Sequence, residues 1–325
     1  MKKIIAALLA LCAIVLGTGV FSACSANERK DDKIKIVTTV FSEYDWVMNV
    51  LGDERDNAEV TLLLDNGADL HSYQPSVEDV VKVSTCDLFI YVGGESDEWA
   101  KDLLKTTSNE NAIAINLLET LGERAKEEEL VEGMEREEEE ETHDDEKEYD
   151  EHVWLSLKNA KIFVNEISSA LGKIDRENAG VYAANAKAYA DKLSDLDDRY
   201  EKAVASSNKK TLLFGDRFPF RYLVDDYGIT YYAAFNGCSA ETEASFETIV
   251  FLSRKVDELG LNCILKNESS DGRIAQTIKN NTLNKNQKIL SMDSLQSSTR
   301  KEYDDGKTYF KVMESNLATL QEALN

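Results

Sequence analysis

Positions 177–206 carry one uninterrupted helical stripe, and that stretch limits the architectures open to this chain more than any other feature. Tyr182, Tyr189, Leu193, Leu196, Tyr200 and Ala203 recur at helical spacing along it. The chain holds only two prolines, neither of them here. Nearly thirty helical residues reach roughly 45 Å at 1.5 Å per residue, which suits a rigid strut better than a hinge. A shorter stripe of Phe163, Ile167 and Leu171 precedes it and ends near Gly172.

On either side of the strut, short β-branched runs alternate with helical stripes, the pattern of open parallel sheets. Strands are expected at 33–40, 59–64, 87–92 and 112–116, with helices near 42–52, 75–85 and 96–106. After the strut, strands are expected at 211–214, 230–233, 262–266 and 288–290. Helices follow near 245–259, 271–280 and 307–324, the last striped by Tyr309, Met313, Leu317, Leu320 and Leu324. The expected class is α/β: an N-terminal lobe over 34–176, a linking helix over 177–206 and a C-terminal lobe over 207–325. A ligand of such sheets sits outside the carboxyl ends of the strands, here in the cleft between lobes.

Lys2 and Lys3 followed by an apolar run from Ile4 to Phe21 read as a secretory signal, residues 1–23. Ser22-Ala23-Cys24 closes it like a bacterial lipobox, with Cys24 as the lipid-bearing residue and Phe21 where leucine is commoner. Left uncleaved, the run is nearly long enough to span a bilayer. Residues 24–33 carry no large apolar side chain and read as a tether. Cys86, Cys238 and Cys263 remain, an odd number without paired spacing, and therefore not a disulfide framework. They suit small buried positions, with Cys238 also open as a soft metal donor.

The formal charge is −24, and removal of Lys2 and Lys3 with the signal makes it −26. Nucleic acid is excluded as a partner and cations are favoured. Much of the charge lies in 123–151, with 17 acidic and 4 basic residues, including Glu137 through Glu141 in sequence. This segment is expected to be disordered or a solvated loop.

Against this background two of the three histidines stand out. His71 lies in Asp69-Leu70-His71-Ser72-Tyr73-Gln74-Pro75-Ser76, where Pro75 reads as the first position of a helix. His152 lies in Asp150-Glu151-His152-Val153-Trp154, where the acidic stretch meets a new helix. Neutral imidazoles flanked by carboxylates are common transition-metal ligands. On the expected strands, His71 follows 59–64, Asp216 and Arg217 follow 211–214, Glu268 follows 262–266, and Asp293 follows 288–290. All five lie at carboxyl ends.

Three stretches resemble the zinc- and manganese-binding lipoproteins of ABC importers: Gly67-Ala-Asp-Leu-His71-Ser-Tyr-Gln-Pro-Ser, Glu151-His152-Val-Trp-Leu-Ser, and Cys238-Ser-Ala-Glu-Thr-Glu-Ala-Ser. The resemblance spans essentially the whole mature chain. It implies one divalent cation held between two α/β lobes, with His71, His152 and Asp293 as ligands. A histidine or glutamate is implied at position 217, where Arg217 stands. A guanidinium has no lone pair to give, so Arg217 is expected beside the ion, paired with Asp216, Glu243 or another carboxylate. Glu268 and Glu243 are the replacement donors to examine, with water at a fourth position. Glu243 suits equally well the capping of the helix that begins near Ser245, and Glu268 a solvated loop.

Two imidazoles with carboxylates suit zinc (Zn2+), or manganese (Mn2+) with added oxygens. The resemblance implies an extracytoplasmic, lipid-anchored monomer that delivers zinc to an ABC permease, touching the membrane through its N-terminal lipid. Its acidic loop, with His143, Asp144, Asp145 and Glu146, collects cations loosely or is merely solvated. A zinc hydrolase would need a motif such as His-Glu-x-x-His, absent here. A surface adhesin working through the acidic loop would leave His71 dispensable.

Overall fold

The computed structural model describes residues 33–134, 148–239 and 243–325. The signal, Cys24, most of the tether and the His143–Glu146 part of the acidic stretch lie outside them. Residues 34–325 form one compact unit.

Its first half runs β1 (Ile34–Thr38), α1 (Phe41–Leu51), β2 (Ala58–Leu62), α2 (Val77–Thr85), β3 (Leu88–Tyr91), α3 (Glu98–Leu104), β4 (Ile113–Asn116) and α4 (Leu117–Leu121). The four strands are parallel in the order β2-β1-β3-β4. Burial on both faces explains the unbroken apolar run of β3, Leu-Phe-Ile-Tyr, in which every residue is buried. Helices α5 (Leu157–Ile174) and α6 (Ala179–Ser206) follow.

The second half runs β5 (Thr211–Phe218), α7 (Arg221–Tyr227), β6 (Thr230–Asn236), α8 (Phe246–Glu258), β7 (Cys263–Asn267), α9 (Arg273–Asn281), β8 (Lys288–Met292), α10 (Arg300–Asp304) and α11 (Tyr309–Ala323). It repeats the same parallel plan in the order β6-β5-β7-β8. In each sheet the strand order reverses beside the first strand, which leaves a crevice at the carboxyl ends.

Two details depart from the sequence expectation. Strand β5 continues to Phe218 rather than stopping at 214, because a register shift between Phe214 and Arg217 lets pairing with β6 resume. Asp216 and Arg217 are therefore strand residues, not loop residues. Pro75 does not open α2. Ser76 caps it instead, accepting from the Asp79 backbone N–H while Asp79 accepts from that of Ser76. This reciprocal pair satisfies two free donors and fixes the start at Val77.

The strut bonds to both halves. From α6, Asn185 donates to the Val50 carbonyl (3.0 Å) and Tyr189 to Asp45 (3.0 Å) in the first half. Farther along, Tyr200 donates to the Met313 carbonyl (2.6 Å) and Arg199 pairs with Glu314 (2.7 Å) in the second. Trp46, fully buried, stacks on Phe163 at 5.5 Å and meets the edge of Tyr309 at 5.2 Å, so α1, α5 and α11 share one packed centre. One apolar cluster runs from Ile36 and Phe89 of the first sheet through to Phe214 and Leu265 of the second.

Glu43 and Asp45 of α1 are carboxyls buried in this core, beside a third, Asp97. Glu43 accepts from the backbone N–H groups of Thr39 (2.7 Å) and Val40 (3.2 Å), yet burial and the nearby Asp97 charge push it up to about 8 from 4.5. Burial likewise pushes Asp45 up to about 7. An acid with a raised folded-state pKa stabilises fully below its unfolded value, and that contribution is lost as pH rises through the folded value. The melting temperature of the protein should therefore fall by roughly 5 °C or more between about pH 5 and pH 8. Glu43→Gln, which keeps the accepting carbonyl and removes the titration, should flatten that slope in calorimetric scans; an unchanged slope would refute the assignment.

Candidate metal site

Beyond β2 the chain enters a single turn, Leu70–Ser72, capped by Asp69, whose carboxylate accepts from the His71 backbone N–H (3.1 Å). On the other side, Asp150 accepts from the His152 backbone N–H (2.8 Å) just before the turn Val153–Leu155. Trp154 then donates its indole N–H to the Ser294 carbonyl (2.8 Å), locking this turn to the second half. The two rings meet with Nε2 atoms 3.3 Å apart. Tetrahedral zinc ligands with Zn–N near 2.0–2.1 Å lie roughly 3.3–3.4 Å from each other.

Each ring is fixed from behind. His152 Nδ1 lies 3.0 Å from Asp150 Oδ1, and His71 Nδ1 lies 2.9 Å from Ser96 Oγ and 3.4 Å from Glu151 Oε2. A carboxylate beside Nδ1 favours the proton there and leaves Nε2 for the site, the usual outer partner of a metal-bound histidine. Glu151 is steadied in turn by the Ser96 backbone N–H (2.9 Å). Burial alone lowers the His71 pKa, but its hydrogen bond to Glu151 and the charges of Glu151 and Asp69 outweigh it, so the net shift is upward. The same field favours any cation between the rings. His152 is wholly buried and His71 only partly, so the site opens on the His71 side. A cavity of about 530 Å³ adjoins it there, lined by Asp69, Asp216, Arg217, Asn267 and Arg273 among others.

Among the described residues, the group of ligand-type side chains that share one spot is His71, His152 and Cys238, whose donor atoms lie within 4.8 Å of one another. The structure thus brings together the two expected histidines. Cys238, open in the sequence as a soft donor, joins them, whereas the expected carboxylates are not in this group. Asp293 accepts from the Leu295 N–H (2.8 Å) and pairs with Lys307 (3.0 Å). Glu268 accepts from the backbone N–H (2.8 Å) and hydroxyl (2.9 Å) of Ser294. Glu243 is exposed, and Ser245 rather than Glu243 caps α8.

Arg217 is held by Asp69 (2.7 Å) and by the Ser239 carbonyl (3.1 Å). Asp216, its expected partner, instead accepts from the backbone N–H groups of Arg217 (2.9 Å) and Asn267 (3.1 Å). Burial works against the charge of Asp69, but Arg217 and His71 outweigh it and hold the carboxyl below its ordinary range.

Sequence reasoning also missed Gln296, whose amide nitrogen lies 2.9 Å from His152 Nε2. The preceding Leu295 sits at φ 65°, a left-handed conformation rare for leucine. The acidic segment is not wholly solvated either. Glu127 bridges Tyr149, and the Lys126 N–H donates to Tyr222 (3.0 Å), whose hydroxyl donates to the Asp150 carbonyl (3.0 Å). Arg221 pairs with Glu129 (3.3 Å). These contacts anchor the base of the segment against the second half.

A family model described as the periplasmic zinc-uptake complex component A matches residues 36–323. The zinc-binding lipoprotein AdcA of Streptococcus pneumoniae (strain ATCC BAA-255 / R6) is 31% identical over 327 residues, covering 99% of this chain and 61% of its own length. The high-affinity zinc uptake system protein ZnuA of Bacillus subtilis (strain 168) is 27% identical over 318 residues, covering 96% of this chain and 94% of its own. The chain spans 56–61% of the length of the streptococcal AdcA relatives it matches. The crystal structure of the Zn(II)-bound ZnuA-like domain of S. pneumoniae AdcA superposes with a TM-score of 0.71 at 28% identity, covering 90% of this chain and 99% of that one.

Because the carboxylates behind the rings set ligand orientation and basicity, Glu151→Gln should weaken zinc binding by about 10- to 100-fold without unfolding the protein. Competition against a chromophoric chelator, with circular dichroism alongside, measures both; unchanged affinity would show that Glu151 does not act on His71.

Proposed function

The chain belongs to the zinc-uptake complex component A family, and on that footing we propose that it is an extracytoplasmic zinc-capture protein. His71 and His152 hold the ion, Cys24 carries a lipid anchor, and an ABC permease receives the cargo. It acts as a monomer and transforms nothing chemically. The observation that carries this reading is the pair of Nε2 atoms 3.3 Å apart, each ring backed by a carboxylate. Relatives named for zinc binding favour zinc over manganese as the cargo.

The anchor rests on residues 1–24 of the sequence. Among the described residues no helix is long and apolar enough to cross a membrane. Exchange of the ion falls to the turns around it, because α6 and the shared core bond the two halves together and oppose a wide hinge. The net charge of the acidic stretch attracts cations to the protein without fixing an ion.

Protein purified without chelator should contain zinc close to one per chain, and His71→Ala and His152→Ala should each lose most of it. In a deletion strain grown in chelated medium, neither variant should restore growth, whereas removal of residues 135–147 should be tolerated. Full zinc content in both histidine variants would overturn the site, and the opposite order of severity would favour an adhesin. Cys24→Ser should shift the protein from the membrane fraction to the medium.

A further inference from the structure

We infer that Cys238 is a third protein ligand of this ion and that its thiolate sets the preference of the site for zinc over manganese. The inference rests on the proposed capture of an ion by the two imidazoles. It goes further in naming a soft donor from the second half of the chain.

Three observations carry it. The sulfur and the two imidazoles have donor atoms within 4.8 Å of one another, a spread one small cation spans with Zn–N near 2.0–2.1 Å and Zn–S near 2.3 Å. Next, the backbone that presents the sulfur is seated on a ligand ring. A Cβ on Gly237 would lie 2.8 Å from His152 Cε1 and 2.9 Å from its Nδ1, so only glycine lets the exit of β6 pass this close. The alternative oxygen donors, finally, are engaged elsewhere: Asp293 with Lys307, Glu268 with Ser294, and Asp69 with Arg217. Arg217 itself, at the position the resemblance gives to a ligand, offers no lone pair.

Burial, together with the charges of Asp150 and Glu128, holds the Cys238 thiol well above its ordinary range. Coordination reverses that balance. The S–H bond breaks, the metal–sulfur bond forms, and the proton leaves to the medium, because a coordinating thiol is deprotonated outright. Thiolate with two imidazoles is a soft, tetrahedral donor set that suits zinc, cobalt and cadmium. Manganese prefers oxygens and more of them. The cavity beside His71 leaves room for a fourth, solvent-side oxygen.

Cobalt(II) replaces zinc and reports sulfur directly. The wild-type protein titrated with cobalt should show a sulfur-to-cobalt charge-transfer band in the near ultraviolet. Cys238→Ser should lose the band, while Cys86→Ser and Cys263→Ser, both at buried positions elsewhere in the fold, should keep it. Zinc affinity of Cys238→Ser should fall ~10-fold or more and manganese affinity should hardly change, so the zinc-to-manganese ratio collapses. In the wild type, bound zinc should also protect Cys238 from iodoacetamide, a readout that needs no variant to fold. Cobalt bound without the band, a band that survives in Cys238→Ser, or alkylation of Cys238 undiminished by zinc would each overturn the inference and leave the imidazole site standing. A wild-type protein that binds neither cobalt nor zinc would overturn both.

Discussion

Two imidazole nitrogens facing each other at 3.3 Å set the terms for everything around them. Nitrogens this close share either a proton or a metal ion, and the neighbouring carboxylates favour positive charge there. Asp150 and Glu151 lie beside the two Nδ1 atoms, and Asp69 adds negative charge while it shapes the turn that carries His71. Placing carboxylates in such surroundings costs desolvation, which their hydrogen bonds to backbone N–H groups offset. A site with this field attracts cations before any ligand is counted.

Holding two rings from distant turns to within tenths of an ångström demands a frame that does not flex. The long helix answers that demand, because its tyrosines bond to α1 at one end and to α11 at the other. His152 is then fixed by the first half through Asp150 and by the second through Trp154 and Ser294. A protein of two loosely hinged lobes would scatter these positions as it opened.

How far the sequence alone reached follows from the range of each interaction. The strut and the eight strands were legible because periodicity is local and the stripes are long. Helices α4, α7 and α10, of five to seven residues, are too short to show a period. His71 and His152 were visible because their partners Asp69 and Asp150 sit two residues away. Cys238 was open only as one of two alternatives, a buried thiol or a soft donor, since its place depends on how the exit of β6 crosses a ring from the other half of the chain. Asp293 shows the converse. Its local motif matches the resemblance, but Lys307, which precedes α11, takes the carboxylate, and the same loop offers Gln296 to His152 instead.

Arg217 gathers these threads into one argument. A guanidinium beside a cation site would weaken it by like-charge repulsion unless something nearby neutralised the charge. Asp69 does so at 2.7 Å, and Asp69 is also the cap of the His71 turn, so one carboxylate both cancels the arginine and positions the ligand. The second Arg217 contact, to the Ser239 carbonyl, pins the residue immediately after Cys238. The arginine therefore braces the two segments that bring His71 and Cys238 together, so a side chain with no lone pair to give organises two that have one.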